Sequence, residues 1–243
     1  MTQGVKVKMN SPFSNNSGQG AFQSSTHTQM AAQASTDARM DFVRLTYVLF
    51  LAGIVTSIFG GILCLNSPLQ NVVVGLFPWS MLALLPLSIG AGVMSHSPNK
   101  AVSYAALFGF TLLMGIIIAP VVALYAPAVV QQAAALSVLI FGALTAYVFI
   151  TRKDFSFMGG LLFVGFISLI GAGLLNFFLF KNSGFSYWIS WGVLLFSSGF
   201  VLYDTSNILE RYPLDRPAGA ALGLFISFYN IFMSLLRILN GRN

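Results

Sequence analysis

The stretch LTYVLFLAGIVTSIFGGILCL, residues 45–65, decides the class of this chain. It carries no charged side chain, and as a helix rising about 1.5 Å per residue it can cross about 30 Å of hydrocarbon. The whole chain has 243 residues, of which 56% are hydrophobic and 7% are charged. Soluble domains devote about a quarter of their residues to charge. The composition therefore excludes a soluble domain and indicates a polytopic membrane protein.

Residues such as Pro, Asn, Ser and Gly divide the apolar sequence into runs of similar length. We predict an all-α membrane protein, a bundle of seven transmembrane helices over residues 45–65, 72–95, 101–125, 129–150, 157–180, 187–209 and 218–239. The connectors are short, so sequential helices should be antiparallel neighbours in a single bundle. Pro78 and Pro86 lie inside the second predicted span and Pro120 lies inside the third, and we expect kinks in both helices.

The distribution of Lys and Arg near the span ends predicts the orientation. With a cytoplasmic amino terminus, the cytoplasmic side holds Arg39, Arg44, Lys100, Arg152, Lys153, Arg211 and Arg216, and the other side holds Lys181, Arg237 and Arg242. This asymmetry predicts that the amino terminus is inside. Because the number of predicted spans is odd, the carboxyl terminus is then outside.

Residues 1–40 differ in composition from the rest of the chain. They are rich in Gln, Ser, Thr and Asn and nearly lack aliphatic side chains, so we expect a disordered cytoplasmic tail ahead of a transmembrane domain over residues 41–243. No apolar core precedes Leu45, so we expect the first span itself to direct insertion. The net charge of +6 reflects membrane orientation, since no basic patch interleaved with aromatic residues indicates nucleic-acid binding.

One acidic residue, Asp204 in VLYDTSNIL, falls inside a predicted span. An ionised carboxylate near the bilayer centre costs at least about 2.5 kcal/mol, and the helix macrodipole disfavours negative charge near a carboxyl-terminal helix end. Asp204 is either a wetted side chain that caps the sixth helix at the interface, or a titratable or cation-binding group that faces the bundle interior. Ser190, Ser197 and Asp204 recur every seven residues and share one helix face, which favours the interior.

A seam of small and polar residues marks the seventh predicted helix. Its members, spaced by three and four residues, are Gly219, Gly223, Ser227, Asn230 and Ser234. The seam is either ordinary helix packing or, together with the Asp204 stripe, the lining of a polar cavity that opens to the cytoplasm. If the last two helices are antiparallel neighbours, Asp204 lies level with Gly223 and Ser227 lies about one turn deeper. Asn230 needs partners or water for its amide.

The sequence does not support the common intramembrane chemistries. Asp204 has no acidic partner in a span, as an aspartyl protease requires. Neither histidine, His27 nor His96, lies in a span where it could serve a nucleophilic serine, and neither has a second ligand at metal spacing. A Gly-rich phosphate loop is also missing. We therefore expect a protein that is not an enzyme and that has no metal or cofactor.

Four segments resemble a known family. They are MGIIIAP at residues 114–120, TRKDFSFMGG at 151–160, YDTSNIL at 203–209 and FYNIFMSLLRIL at 228–239. They resemble the Bax inhibitor-1 family, and within it the bacterial YccA branch. The resemblance implies a central helix wrapped by the others and, for some members, a pH-sensitive calcium leak gated by paired carboxylates on the sixth and seventh helices.

This chain departs from the family pattern at the proposed acidic pair. Asp204 matches the first carboxylate, but the second position of the family's LFLDF pattern corresponds to Ser227 of LFISF. The basic residue that some leak members carry in the second helix also has no counterpart in the second predicted span. A pair of acids that shares one proton cannot be carried over to this chain.

The YccA branch is associated with the membrane-bound ATP-dependent protease FtsH, as both its substrate and its inhibitor, with the amino-terminal tail as the handle. The resemblance therefore implies a bacterial inner-membrane protein that modulates FtsH in membrane protein quality control. The alternative is a pH-sensitive calcium or proton leak channel, with Asp204 as the titrating group and Ser197, Ser227 and Asn230 as the other polar residues of the site. The two functions are compatible.

Overall fold

The computed structural model describes residues 36–241, and helices joined by short connectors account for nearly all of them. The helices are α1 (Thr36–Leu65), α2 (Leu69–Gly75), α3 (Phe77–Ser95), α4 (Lys100–Val122), α5 (Pro127–Thr151), α6 (Gly159–Leu175), α7 (Ser183–Glu210) and α8 (Pro217–Asn240). A 3₁₀ turn (Ser156–Met158) precedes α6, and a π-helical turn (Asn176–Phe180) follows it. The prediction of an all-α membrane protein is confirmed for the described residues.

Six of the described helical segments are long and apolar enough to cross a membrane. They are Thr36–Leu65, Lys100–Val122, Pro127–Thr151, Ser156–Phe180, Gly184–Glu210 and Pro217–Asn240. These segments match the first and the third to seventh predicted spans, and most of their ends lie within a few residues of the predicted ones. The positions of these six helices were therefore predicted correctly from the long apolar runs and the short connectors between them.

The predicted continuous helix over residues 72–95 is wrong. The structure divides this region into α2 and α3, which meet at Leu76 with φ −95° and ψ 4°. Pro78 stands in the first turn of α3, where its missing N–H has no intrahelical partner to lose. The proline therefore begins a helix instead of kinking one, and Pro86 is the proline inside α3.

The first helix begins upstream of its predicted start at Leu45. α1 starts at Thr36, so residues 36–40 of the predicted tail are helical. The Arg39 guanidinium donates a hydrogen bond of 3.4 Å to the carbonyl oxygen of Ile208 near the end of α7, and this contact anchors the first turns of α1. Residues 1–35 of the predicted tail lie outside the described residues.

α8 is the central helix of the bundle. It packs against α1, α3, α4, α5 and α7, and its side chains at Leu222, Leu224, Ile231 and Leu236 are almost completely buried. These side chains are buried because other helices surround α8 on several sides. A helix at the edge of the bundle would instead leave one apolar face in contact with lipid. The arrangement agrees with the central helix that the family resemblance implies.

Three connectors and the start of α1 meet at one end of the bundle. The rings of Phe42 and Tyr212 stack with centroids 6.0 Å apart, and His96 also contacts Tyr212. Asp154 forms an ion pair with Arg211. We call this the basic end, because its connectors and adjoining helix turns carry Arg39, Arg44, Lys100, Arg152, Lys153, Arg211 and Arg216.

Candidate functional site

The carboxylate of Asp204 faces the central helix. It is partly buried on α7, and the hydroxyl of Ser227 on α8 donates a hydrogen bond of 3.3 Å to its Oδ2. Asp204 lies within about two turns of the carboxyl-terminal end of α7 at Glu210, toward the basic end. The side chain therefore approaches protein on α8, in a region close to one end of the bundle.

Gly223 of α8 lies next to this carboxylate. A methyl group placed on Gly223 would lie 3.5 Å from Asp204 Oδ2, which is ordinary van der Waals contact. Asp204 is thus level with Gly223, as the antiparallel register of the two helices predicts. Ser227 is close enough to donate a hydrogen bond to the same oxygen, so the two seam residues form one surface beneath the carboxylate.

The other predicted site residues are separate from this contact. Ser197 is buried on α7, two turns deeper than Asp204, and Asn230 is partly buried on α8. Within residues 36–241 no hydrogen bond joins either of them to Asp204. Ser190 is buried as well, and its hydroxyl donates 3.0 Å to the carbonyl oxygen of Ser186 on its own helix. The structure therefore brings Asp204, Gly223 and Ser227 together and leaves Ser197 and Asn230 apart from them.

A second polar contact lies beside Asp204 on the α1 side. The hydroxyls of Tyr47 on α1 and Thr205 on α7 are 3.4 Å apart. The neighbouring Thr46 hydroxyl is buried without a hydrogen-bond partner among the described residues. Polar groups of α1, α7 and α8 therefore lie near the carboxylate of Asp204.

Two polar side chains, His96 and Tyr212, lie against Gly219 of the predicted packing seam, one turn from Gly223. A methyl group on Gly219 would lie 2.9 Å from the Tyr212 hydroxyl and 3.0 Å from His96 Nε2. These two atoms are themselves 2.6 Å apart. The sequence analysis considered His96 as a catalytic base and as a metal ligand and did not predict this pair. The pair joins the α3–α4 connector to the α7–α8 connector, and no spacing rule relates the two.

Ser227 contacts Asp204 at the position where the family pattern places a second acid. A hydroxyl is neutral and can donate or accept, whereas a second carboxylate at this distance would compete with Asp204 for one proton. α3 also lacks Lys and Arg, so it brings no cation to the carboxylate. The described residues contain no group of three or more His, Cys, Asp or Glu side chains able to hold a metal ion. The site can exchange a proton or contact a cation weakly through one carboxylate.

The chain is similar in sequence to known proteins. Residues 39–243 match the family described as Inhibitor of apoptosis-promoting Bax1. The chain is 32% identical to "Bax inhibitor 1" of Schizosaccharomyces pombe over 220 residues, which cover 88% of this chain and 81% of the relative.

Two further relatives come from distant organisms. "Protein lifeguard 4" of Mus musculus is 30% identical over 219 residues, covering 87% of this chain and 90% of the relative. An "Uncharacterized membrane protein" of Vibrio cholerae is 33% identical over 205 residues, covering 82% and 88%. The family match covers all but the first three described residues, and this chain therefore belongs to the Bax inhibitor-1 family.

Proposed function

We propose that the chain crosses the bacterial inner membrane seven times, with its amino terminus in the cytoplasm and its carboxyl terminus outside. α3 supplies the additional crossing. Because α1 and α4 both begin at the basic end, α2 and α3 together must return the chain after α1 has crossed. α3 has 19 residues, a length of roughly 28 Å, which is close to the hydrocarbon thickness. The concentration of Lys and Arg at the basic end supports its cytoplasmic placement.

We further propose that the protein is not an enzyme and that Asp204 controls a leak of protons or calcium through the bundle. The contact of Asp204 with Ser227 on the central helix carries this proposal. Ionisable side chains in membrane helices are expensive, and those that face protein or water are typical of ion and proton pathways. Since Ser227 is neutral, a change in the charge of Asp204 is not offset by a second acid beside it.

The test is cation flux through the purified protein in liposomes loaded with pH-sensitive or calcium-sensitive dye. Asp204→Asn keeps the side-chain shape and removes the charge, and we expect it to abolish the dependence of flux on pH. Asp41→Asn is the matched control, because it makes the same change on a side chain that is 80% exposed near the start of α1. Wild-type flux in Asp204→Asn at every pH would exclude the leak proposal.

A second function, compatible with the first, is modulation of an FtsH-type membrane protease as its substrate and inhibitor. The resemblance to the YccA branch supports it, and so does the polar composition of residues 1–35, which suits entry into an unfoldase. The close backbone contact between α1 and α4, at Gly60 and Gly115, supports a bundle that resists extraction.

Deleting residues 1–35 tests this second function. We expect the truncated protein to lose inhibition of FtsH in proteoliposomes, measured as the degradation rate of a reporter substrate, while it keeps its pH-dependent flux. Asp204→Asn should show the opposite pattern. Equal inhibition by the truncated and the full-length protein would exclude the tail as the handle.

A further inference from the structure

The imidazole of His96 connects two parts of the bundle that are distant in sequence. His96 follows the last residue of α3, and Tyr212 lies in the connector between α7 and α8. His96 Nε2 is 2.6 Å from the Tyr212 hydroxyl. The ring centroids of His96 and Tyr212 are 5.9 Å apart. Phe42 of α1 stacks on the same tyrosine, with ring centroids 6.0 Å apart. Three elements therefore meet around the side chain of Tyr212.

The second ring nitrogen settles the direction of this hydrogen bond. His96 Nδ1 lies 2.7 Å from the carbonyl oxygen of Gly92, and a carbonyl can only accept. Nδ1 therefore carries the hydrogen in the neutral ring. Nε2 then presents its lone pair, and the Tyr212 hydroxyl donates to it.

The surroundings keep the tyrosine hydroxyl protonated. Burial raises the pKa of Tyr212, and the negative charge of Asp204 raises it further, although Arg216 acts in the opposite direction. A hydroxyl that stays protonated remains a donor for His96. The contact therefore joins α3 to the α7–α8 connector in the neutral form of both side chains.

The His96–Tyr212 contact is part of the basic end, and it lies next to Asp204 along α8. It rests against Gly219, whereas Asp204 rests against Gly223, one turn further along the same face of α8. One helical turn is about 5.4 Å. The histidine and the tyrosine therefore lie nearer to the start of α8 than Asp204 does.

We propose that the His96–Tyr212 contact closes the Asp204 site toward the basic end, and that breaking it admits water and small cations to Asp204. It does so by tying the end of α3 to the connector that leads into the central helix. The passage of ions rests on the function proposed above, whereas the closure is a separate claim about access to the site.

Cysteine accessibility tests the closure directly. Cys64 is first replaced by serine, and Ser227→Cys then places a thiol beside Asp204. The probe is a water-soluble trimethylammonium methanethiosulfonate, applied to protein in nanodiscs. Tyr212→Phe removes only the hydroxyl, and we expect it to speed modification roughly threefold to tenfold, the factor expected from the loss of one hydrogen bond.

Two further variants sharpen the test. Gly219→Ala places a methyl group too close to both partners, so it should displace the contact and speed modification without removing either side chain. Tyr125→Phe, in the connector between α4 and α5, is the matched control and should leave the rate unchanged. All variants are compared by size-exclusion profile, so that a misfolded variant is recognised and Gly219→Ala can replace Tyr212→Phe.

The outcomes separate the closure from the leak. Faster modification together with faster flux in Tyr212→Phe supports both. Unchanged modification in folded Tyr212→Phe and Gly219→Ala overturns the closure. Faster modification with no change in flux supports the closure and counts against the leak.

Discussion

At the scale of single residues, the environment of Asp204 is defined by small and neutral neighbours. Ser227 donates one hydrogen bond to the carboxylate, and Gly223 lies beside it. An apolar side chain in place of Ser227 would leave the carboxylate without this donor. The free-energy cost of an unsatisfied buried group is larger than the net contribution of the hydrogen bond. The hydrogen bond from Ser227 therefore helps to keep this acid between the two helices.

Ser227→Ala should destabilise the protein by about 1 kcal/mol, because it leaves one carboxylate oxygen without its donor. The measurement is thermal or denaturant unfolding in detergent. Ser190→Ala is the matched control, since the Ser190 hydroxyl bonds to the carbonyl oxygen of Ser186 on its own helix. Its removal leaves no charged group without a donor, so we expect a smaller loss. Equal losses in both variants would show that the Asp204 contact adds no stability.

The sequence predicted part of this site. Spacing within each helix predicted one polar face around Asp204 and one seam. The register of Asp204 with Gly223 was predicted on the condition that the two helices are antiparallel neighbours. The His96–Tyr212 contact joins residues 116 positions apart. Such a contact depends on where α3 ends relative to the α7–α8 connector, which periodicity within one helix does not report.

At the scale of elements, the closest packing is that of α1 against α4. A methyl group on Gly60 would lie 2.5 Å from the carbonyl oxygen of Leu112, and one on Gly115 would overlap the carbonyl oxygen of Ser57. In both cases the neighbouring atom belongs to the backbone, which cannot avoid the clash by a change of rotamer as a side chain can. Small residues at these positions let the helices approach closely, as in many membrane helix pairs.

Gly115→Ala should therefore lower stability by about 1–3 kcal/mol, the usual cost of overpacking, because α1 and α4 must move apart. Gly109→Ala on the same helix is the matched control, since nothing lies within 4 Å of the added methyl group. We expect no loss in that variant, measured as the unfolding midpoint in detergent. A Gly109→Ala loss as large as that of Gly115→Ala would contradict the packing argument.

Hydropathy located six of the helices but did not reveal the division between α2 and α3. A window of about 20 apolar residues reports only that a segment is long enough to span. The break at Leu76 lies inside such a window, between Gly75 and Pro78, and neither residue changes its hydropathy enough to mark it. Hydropathy also did not predict that α1 starts at Thr36. The first turns of this helix are polar, and polar turns do not raise the hydropathy of a window.

At the scale of the whole molecule, the basic end determines how the bundle should be oriented. With Cys64 replaced by serine, Lys153→Cys in the α5–α6 connector should react with an impermeant maleimide only in inside-out vesicles. Lys181→Cys in the α6–α7 connector should react only in right-side-out vesicles. Both side chains are exposed, so the two variants form a matched pair. Reaction of both from the same side would rule out the proposed topology.

The position of the central helix has a consequence for biosynthesis. α8 follows all the helices that it contacts, so a growing chain inserts α1 to α7 before their shared partner has been made. Until then Asp204 has neither Ser227 nor Gly223 beside it, and the nascent bundle exposes a carboxylate that its final form encloses. We expect ribosome-stalled chains that end before Pro217 to be retained by the insertion machinery or degraded, and release to coincide with synthesis of the last helix.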